Sequence, residues 1–158
     1  MRLKSAASAG LALVCAVAPA VAQTCAGVPG PAKLRIEVEG VRSDQGLMTA
    51  TLYPDDSAKF LRTNGQLVVW RVPAKAPVTQ MCVWLPAPGR YALVVYDDLN
   101  FNHHFDHTAI APLEPYGFSN NPRIFLIPPS ADSTAFTVGP GETMLNIRLR
   151  YPGSIGRE

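Results

Sequence analysis

The chain has 158 residues, 47% of them hydrophobic and 16% charged, with a formal net charge of +2. That length supports one domain with a real core and is short for two of ordinary size. Arg2 and Lys4 account for the whole basic surplus, so the rest of the chain is formally neutral; with no basic stripe or recognition-helix pattern, nucleic acid is excluded as the expected partner.

The first residues read as a secretory signal. Met1 to Lys4 is basic, Ser5 to Val17 is an Ala, Leu and Val run, and Ala20-Val21-Ala22 is the small-x-small pattern that signal peptidase cuts after. The expected organisation is a signal peptide over 1–22 and a single β-sandwich domain over 23–158, exported to the periplasm or the extracellular space of a bacterium. The alternative is a retained membrane anchor, but the run is Ala-rich, marginal in length for a span and ends in a cleavage pattern, which favours removal. Export removes Cys15 and leaves Cys25 and Cys82 in an oxidising compartment, where an even pair favours a disulfide. Such a bond would add about 3 to 4 kcal/mol by restricting the unfolded chain.

From Lys33 the residues alternate with a period of two. Leu34, Ile36 and Val38 oppose Arg35, Glu37 and Glu39, and after the Asp44-Gln45-Gly46 turn Met48, Ala50 and Leu52 alternate with Thr49, Thr51 and Tyr53. These two runs are expected to pair antiparallel. Pro54 to Ser57 supplies helix-start chemistry and Asn64-Gly65 a stop, predicting one or two helical turns between them. Gln66 to Val72 and Val78 to Leu85 are β-rich, and Arg90 to Asp97 is apolar on both faces, as a central strand must be. Arg123 to Ile127, Ala135 to Val138 and a closing run through Leu145, Ile147 and Leu149 complete the set. Fifteen prolines punctuate these runs, and proline belongs at turns and edges of sheets rather than inside helices. The predicted fold is all-β, an antiparallel two-sheet sandwich of about seven strands with one short helical turn.

The residues with chemistry gather between Tyr96 and Asn121. Asp98, Asn100, Asn102 and Asp106 stand at positions 1, 3, 5 and 9 of a calcium-loop spacing, with the carbonyl of His104 at position 7. Hard oxygen donors suit Ca²⁺. Position 6, normally glycine because φ is positive there, is His103, and position 12 is Ala109 where a bidentate carboxylate is expected; Glu114 or Asp97 is the candidate substitute. Two carboxylates in the core pattern predict weak binding, roughly 10⁻⁴ to 10⁻³ M. His103, His104 and His107, with Asp106, offer a competing Zn²⁺, Cu²⁺ or Ni²⁺ site and hence a metal carrier or small metalloenzyme. The bland alternative is a set of turn caps with no metal. Further on, Tyr116, Phe118 and Asn120 are candidates for a ligand-facing loop, or else aromatics folded over a sheet edge.

The order LPAPGRYALVVYDDLNFNHHFD, PLEPYGFSNNPR and a closing alternating strand resembles a bacterial exported family known as domain of unknown function 2141. Gly89, Tyr91 and Ala92 match its strand, Asp98, Asn100, Asn102 and Asp106 its loop, and Gly117 to Asn120 its last segment, with His103 replacing the family glycine. The resemblance implies a transthyretin-like or immunoglobulin-like sandwich and no assigned activity. Hydroxyisourate hydrolases, which share the transthyretin-like fold, end in Tyr-Arg-Gly-Ser; Tyr151-Pro152-Gly153-Ser154 lacks the arginine, and no histidine lies on a predicted strand to act as base. The functional expectation is therefore a non-catalytic exported module that binds an extracytoplasmic ligand or protein through its loop end, or serves structurally, with no membrane span once the signal is removed.

Overall fold

The computed structural model describes residues 24–124 and 127–153. The expected signal peptide lies outside the described residues, as do Phe125 and Leu126 of the run predicted at Arg123 to Ile127. The elements in order are β1 (Ala32–Glu39), β2 (Leu47–Pro54), β3 (Val68–Pro73), β4 (Val78–Leu85), β5 (Gly89–Asp98), β6 (Tyr116–Phe118), α1 (Ala131–Thr134), β7 (Ala135–Val138) and β8 (Gly141–Arg148). One sheet has the order β4-β1-β8, and the other β3-β2-β5-β6 with β7 also on β5. The all-β, two-sheet expectation holds.

Several pairings differ from the sequence reading. β1 and β2 lie in different sheets, β1 between β4 and β8, β2 between β3 and β5. Alternation specifies which face of a strand is buried, not which strand lies beside it. The β1–β8 pair is parallel, from Ala32 opposite Gly141 to Glu39 opposite Arg148, so the sandwich is not antiparallel throughout. The helical turns expected after Pro54 are hydrogen-bonded turns instead: Asp56 O accepts from both Lys59 N and Phe60 N, but Leu61 (φ 55°) and Asn64 (φ 62°) then swing left-handed and stop propagation. The short helix is α1, capped by the Ser130 side chain on Ser133 N. Arg123, Ile124 and Ile127 are not in a strand, whereas Tyr116 to Phe118, expected in a loop, are.

The inter-sheet core is built from the inward residues of both sheets, among them Leu34, Ile36, Met81, Val83, Leu93, Val95 and Ile147. The other face of β5 is buried as well, by a second cluster of Tyr53, Phe60, Ala92, Tyr96, Tyr116 and Phe118. That is why both faces of Arg90 to Asp97 are apolar. β5 pairs with β2 along one edge, and along the other with β7 (Gly89 to Ala92) and then β6 (Val94 to Tyr96). The two sheets are also joined: Tyr116 exchanges both backbone hydrogen bonds with Arg150, just beyond β8. Asn121 Nδ2 donates to Asn146 O and its Oδ1 accepts from Arg148 N, 3.0 and 2.8 Å.

Gly117 sits at this junction, where an added Cβ would lie 2.6 Å from Ile147 Cγ2 and 2.8 Å from Arg148 O. Gly117→Ala is therefore expected to lower stability by about 1 to 2 kcal/mol, since overpacking at a backbone contact forces a shift. A urea midpoint equal to that of the unsubstituted protein would show that the junction yields freely.

Candidate functional site

β5 delivers Asp98 to the start of the loop with its side chain fully buried. One carboxylate oxygen accepts from Asn102 N (3.1 Å) and the other from His103 N (2.8 Å). Asn100 Oδ1 also accepts from Asn102 N at 3.1 Å, and Asn102 Oδ1 from His104 N at 2.7 Å. These are side-chain-to-backbone turns, the structural reason Asp and Asn recur at every second position. His103 has φ 65° and Phe101 φ 61°. The sixth position thus takes the left-handed conformation that the spacing demands, although its residue is not glycine.

Asp106 faces back into the loop. Its oxygens accept from Asn100 Nδ2 at 2.6 Å and from Asn102 Nδ2 at 3.0 Å. Glu114, only 3% exposed, clamps both ends: one oxygen accepts from Leu99 N and the other from Asp106 N, each at 3.0 Å. Burial raises the pKa of Glu114, and the Asp106 and Asp98 charges add to the rise, against the two backbone N–H groups that lower it. Asp97, on the opposite face of the strand end and 1% exposed, is pushed up to about 6 by burial and then by Glu114 and Asp98. Among the described residues its Oδ1 has no hydrogen-bond partner. Gly46 (φ 111°) packs on it so closely that a Cβ there would overlap that oxygen.

Of the residues singled out in the sequence, Asp98, Asn100, Asn102 and Asp106 are therefore brought together, and Glu114 rather than Ala109 supplies the additional buried carboxylate. Arg71 of β3 joins them from outside the motif, donating from Nη2 to His103 O at 3.3 Å. No local spacing could announce a residue from another strand. The histidines go elsewhere: His103 and His104 are exposed, while His107 Nδ1 lies 2.9 Å from Thr108 O and its ring lies against Phe105. Among the described residues no group of three or more His, Cys, Asp or Glu side chains is placed to hold a metal ion. An oxygen site here depends on the asparagine amides and the His104 carbonyl as well as the carboxylates.

The last segment is committed to the fold. Tyr116 and Phe118 are buried in the second cluster instead of facing outward. Ser119 Oγ accepts from Leu93 N and donates to Thr134 O, and Asn120 Nδ2 donates to Ala135 O at 2.6 Å. Cys25 and Cys82 are joined as a disulfide. A groove of about 450 Å³ opens between β3 and β4, lined by Val72, Pro73, Lys75, Val78, Thr79 and Gln80, which include no nucleophile paired with a base. No helix among the described residues is long and apolar enough to cross a membrane.

Residues 36–146 match the family model described as "Uncharacterized protein conserved in bacteria (DUF2141)". The chain belongs to this family. The matched span opens within β1 and closes within β8, so it contains the loop, Glu114 and the Gly117 to Asn121 segment. No curated protein matched the chain, and no solved structure did; neither the transthyretin-like nor the immunoglobulin-like type is therefore assigned.

Proposed function

We propose that this family member is an exported, non-catalytic β-sandwich module whose Asp98 to Asp106 loop binds Ca²⁺ weakly, stiffening a loop end that contacts an extracytoplasmic ligand. The supporting observation is that Asp98 ties the loop through Asn102 N and His103 N, that Asp106 accepts from the Asn100 and Asn102 amides, and that Glu114 closes it on Leu99 N and Asp106 N. Every donor is a hard oxygen or an amide that can present one, the set Ca²⁺ prefers. The signal-like start and the disulfide support export.

Weak binding follows from the same geometry. Both asparagine amides present nitrogen to Asp106, so ion uptake requires them to turn and breaks their present bonds. Calorimetry on untagged protein is expected to give a Ca²⁺ dissociation constant of roughly 10⁻⁴ to 10⁻³ M, lost in Asp98→Ala and kept in His104→Ala. No Ca²⁺ heat up to several times that range, in a folded sample, would reject the reading. Nanomolar Zn²⁺ binding abolished by His104→Ala would replace it with the histidine alternative.

A further inference from the structure

Far from the loop, the chain ahead of β1 runs along the edge of β4. Ala26 N donates to Cys82 O at 3.0 Å, and Trp84 N donates to Ala26 O at 2.9 Å, making one parallel rung beside the Cys25–Cys82 disulfide. The close approach continues past the rung. A Cβ at Gly27 would lie 3.2 Å from Trp84 O, and one at Gly30 2.6 Å from Leu85 O. Small residues thus let this segment lie backbone to backbone against the strand.

Edge strands usually carry a deterrent to pairing with another chain, such as a charge or a proline. β3 carries Arg71 and ends in Pro73, and β8 carries Glu142 and Arg148. β4, with the sequence VTQMCVWL, has neither. Two copies of it side by side would bring no like charges together. Over its second half, Cys82 to Leu85, the edge is covered by the segment latched to it by the disulfide.

We propose that Cys25 to Pro31 is a redox-latched edge guard: with the disulfide closed it covers Cys82 to Leu85, and reduction frees that edge to pair with a second copy of this chain. The reductant is a dithiol. Its thiolate attacks Sγ of Cys25, the more exposed residue of the pair, since Cys82 is 3% exposed; Cys82 Sγ leaves as thiolate and is protonated. The second thiol of the reductant then displaces Cys25 from the mixed disulfide, so two electrons pass to the protein and the reductant becomes a disulfide. What remains is a single rung on a tether no longer closed, which opens readily.

Amide exchange and sedimentation of the folded protein, oxidised and reduced, test this. Reduction is expected to speed exchange at Ala26 and Trp84 about 100-fold more than at Leu93 and Val95, whose own acceleration reports the global stability the disulfide adds, and to produce a concentration-dependent dimer that reoxidation reverses. Cys25→Ser should do the same without reductant. Gly30→Ala, which keeps the disulfide, should speed Trp84 exchange about 10-fold by crowding Leu85 O, so the guard remains testable if Cys25→Ser does not fold. Three results overturn the proposal: Trp84 staying protected after reduction, Trp84 speeding no more than Val95 as with a purely global staple, or an open edge that stays monomeric.

Discussion

Asp98→Ala is expected to lower the unfolding free energy by about 3 kcal/mol in calcium-free buffer, more than any exposed loop substitution should. Two backbone donors, Asn102 N and His103 N, lose a charged acceptor, and such bonds contribute about 1.5 to 3 kcal/mol each. The lower end applies, because the exposed loop lets water replace part of the loss. Losing the charge also relieves Asp97 and Glu114, whose carboxyls Asp98 disfavours. Against that, His103 and Phe101 hold left-handed φ values that cost free energy once the acceptor fixing the turn is gone. Asp98→Asn, which keeps the shape and one acceptor, should cost about half as much. Urea unfolding with chelator measures both. A change in Asp98→Ala within about 0.5 kcal/mol, the scatter of ordinary surface substitutions, would show that the carboxylate does not organise the loop.

What the sequence made legible was whatever repeats locally. The alternation of Leu34, Ile36 and Val38 gave the buried face of β1 correctly, and the two apolar faces of Arg90 to Asp97 marked β5 as central. Partners were not legible, because β1 reaches β8 over a separation of about a hundred residues, a choice made by packing rather than by spacing. Tyr116 to Phe118 is too short for a period, and the roles of Ser119, Asn120 and Asn121 lie in side-chain bonds to Leu93, Ala135 and Arg148. After Pro54 the helix-start chemistry yields only a turn, Asp56 Oδ1 accepting from Ala58 N, because such chemistry starts a helix only where the following residues stay right-handed.

The loop shows the same division. Asp98, Asn100, Asn102 and Asp106 are visible as a motif since each acts on a neighbour within a few residues. Glu114 acts across 15 residues on Leu99 and 8 on Asp106, so its role emerges only when the chain returns to the strand end. The carboxylates nearest the loop are then split by the pleat of β5. Asp98 is spent on backbone donors, while Asp97 on the other face keeps an unpartnered buried oxygen. The first organises the site and the second opposes folding whenever it is charged.

That opposition is measurable. Asp97 has a folded pKa of about 6 against an ordinary 3.8, so the folded state holds a proton that the unfolded state has released across that interval. Stability contributed by Asp97 is therefore present below about pH 4 and lost as pH rises through about 6, by roughly 2 to 3 kcal/mol. Glu114, also raised, adds in the same direction, whereas Asp44 and Glu142, lowered by their hydrogen-bonded and charged partners, lose stability as pH falls and obscure the trend in the protein itself. Subtracting isolates it: Asp97→Asn should be more stable by about 2 kcal/mol at pH 7.5, the full gain being reduced by an amide still lacking a partner, and the difference should shrink toward zero near pH 4. Urea unfolding of both proteins from pH 4 to 7.5 with chelator present supplies the comparison. A difference constant across that range would mean that Asp97 titrates in the folded protein as it does in the unfolded chain, and that its buried oxygen finds water the packing around Gly46 leaves no room for.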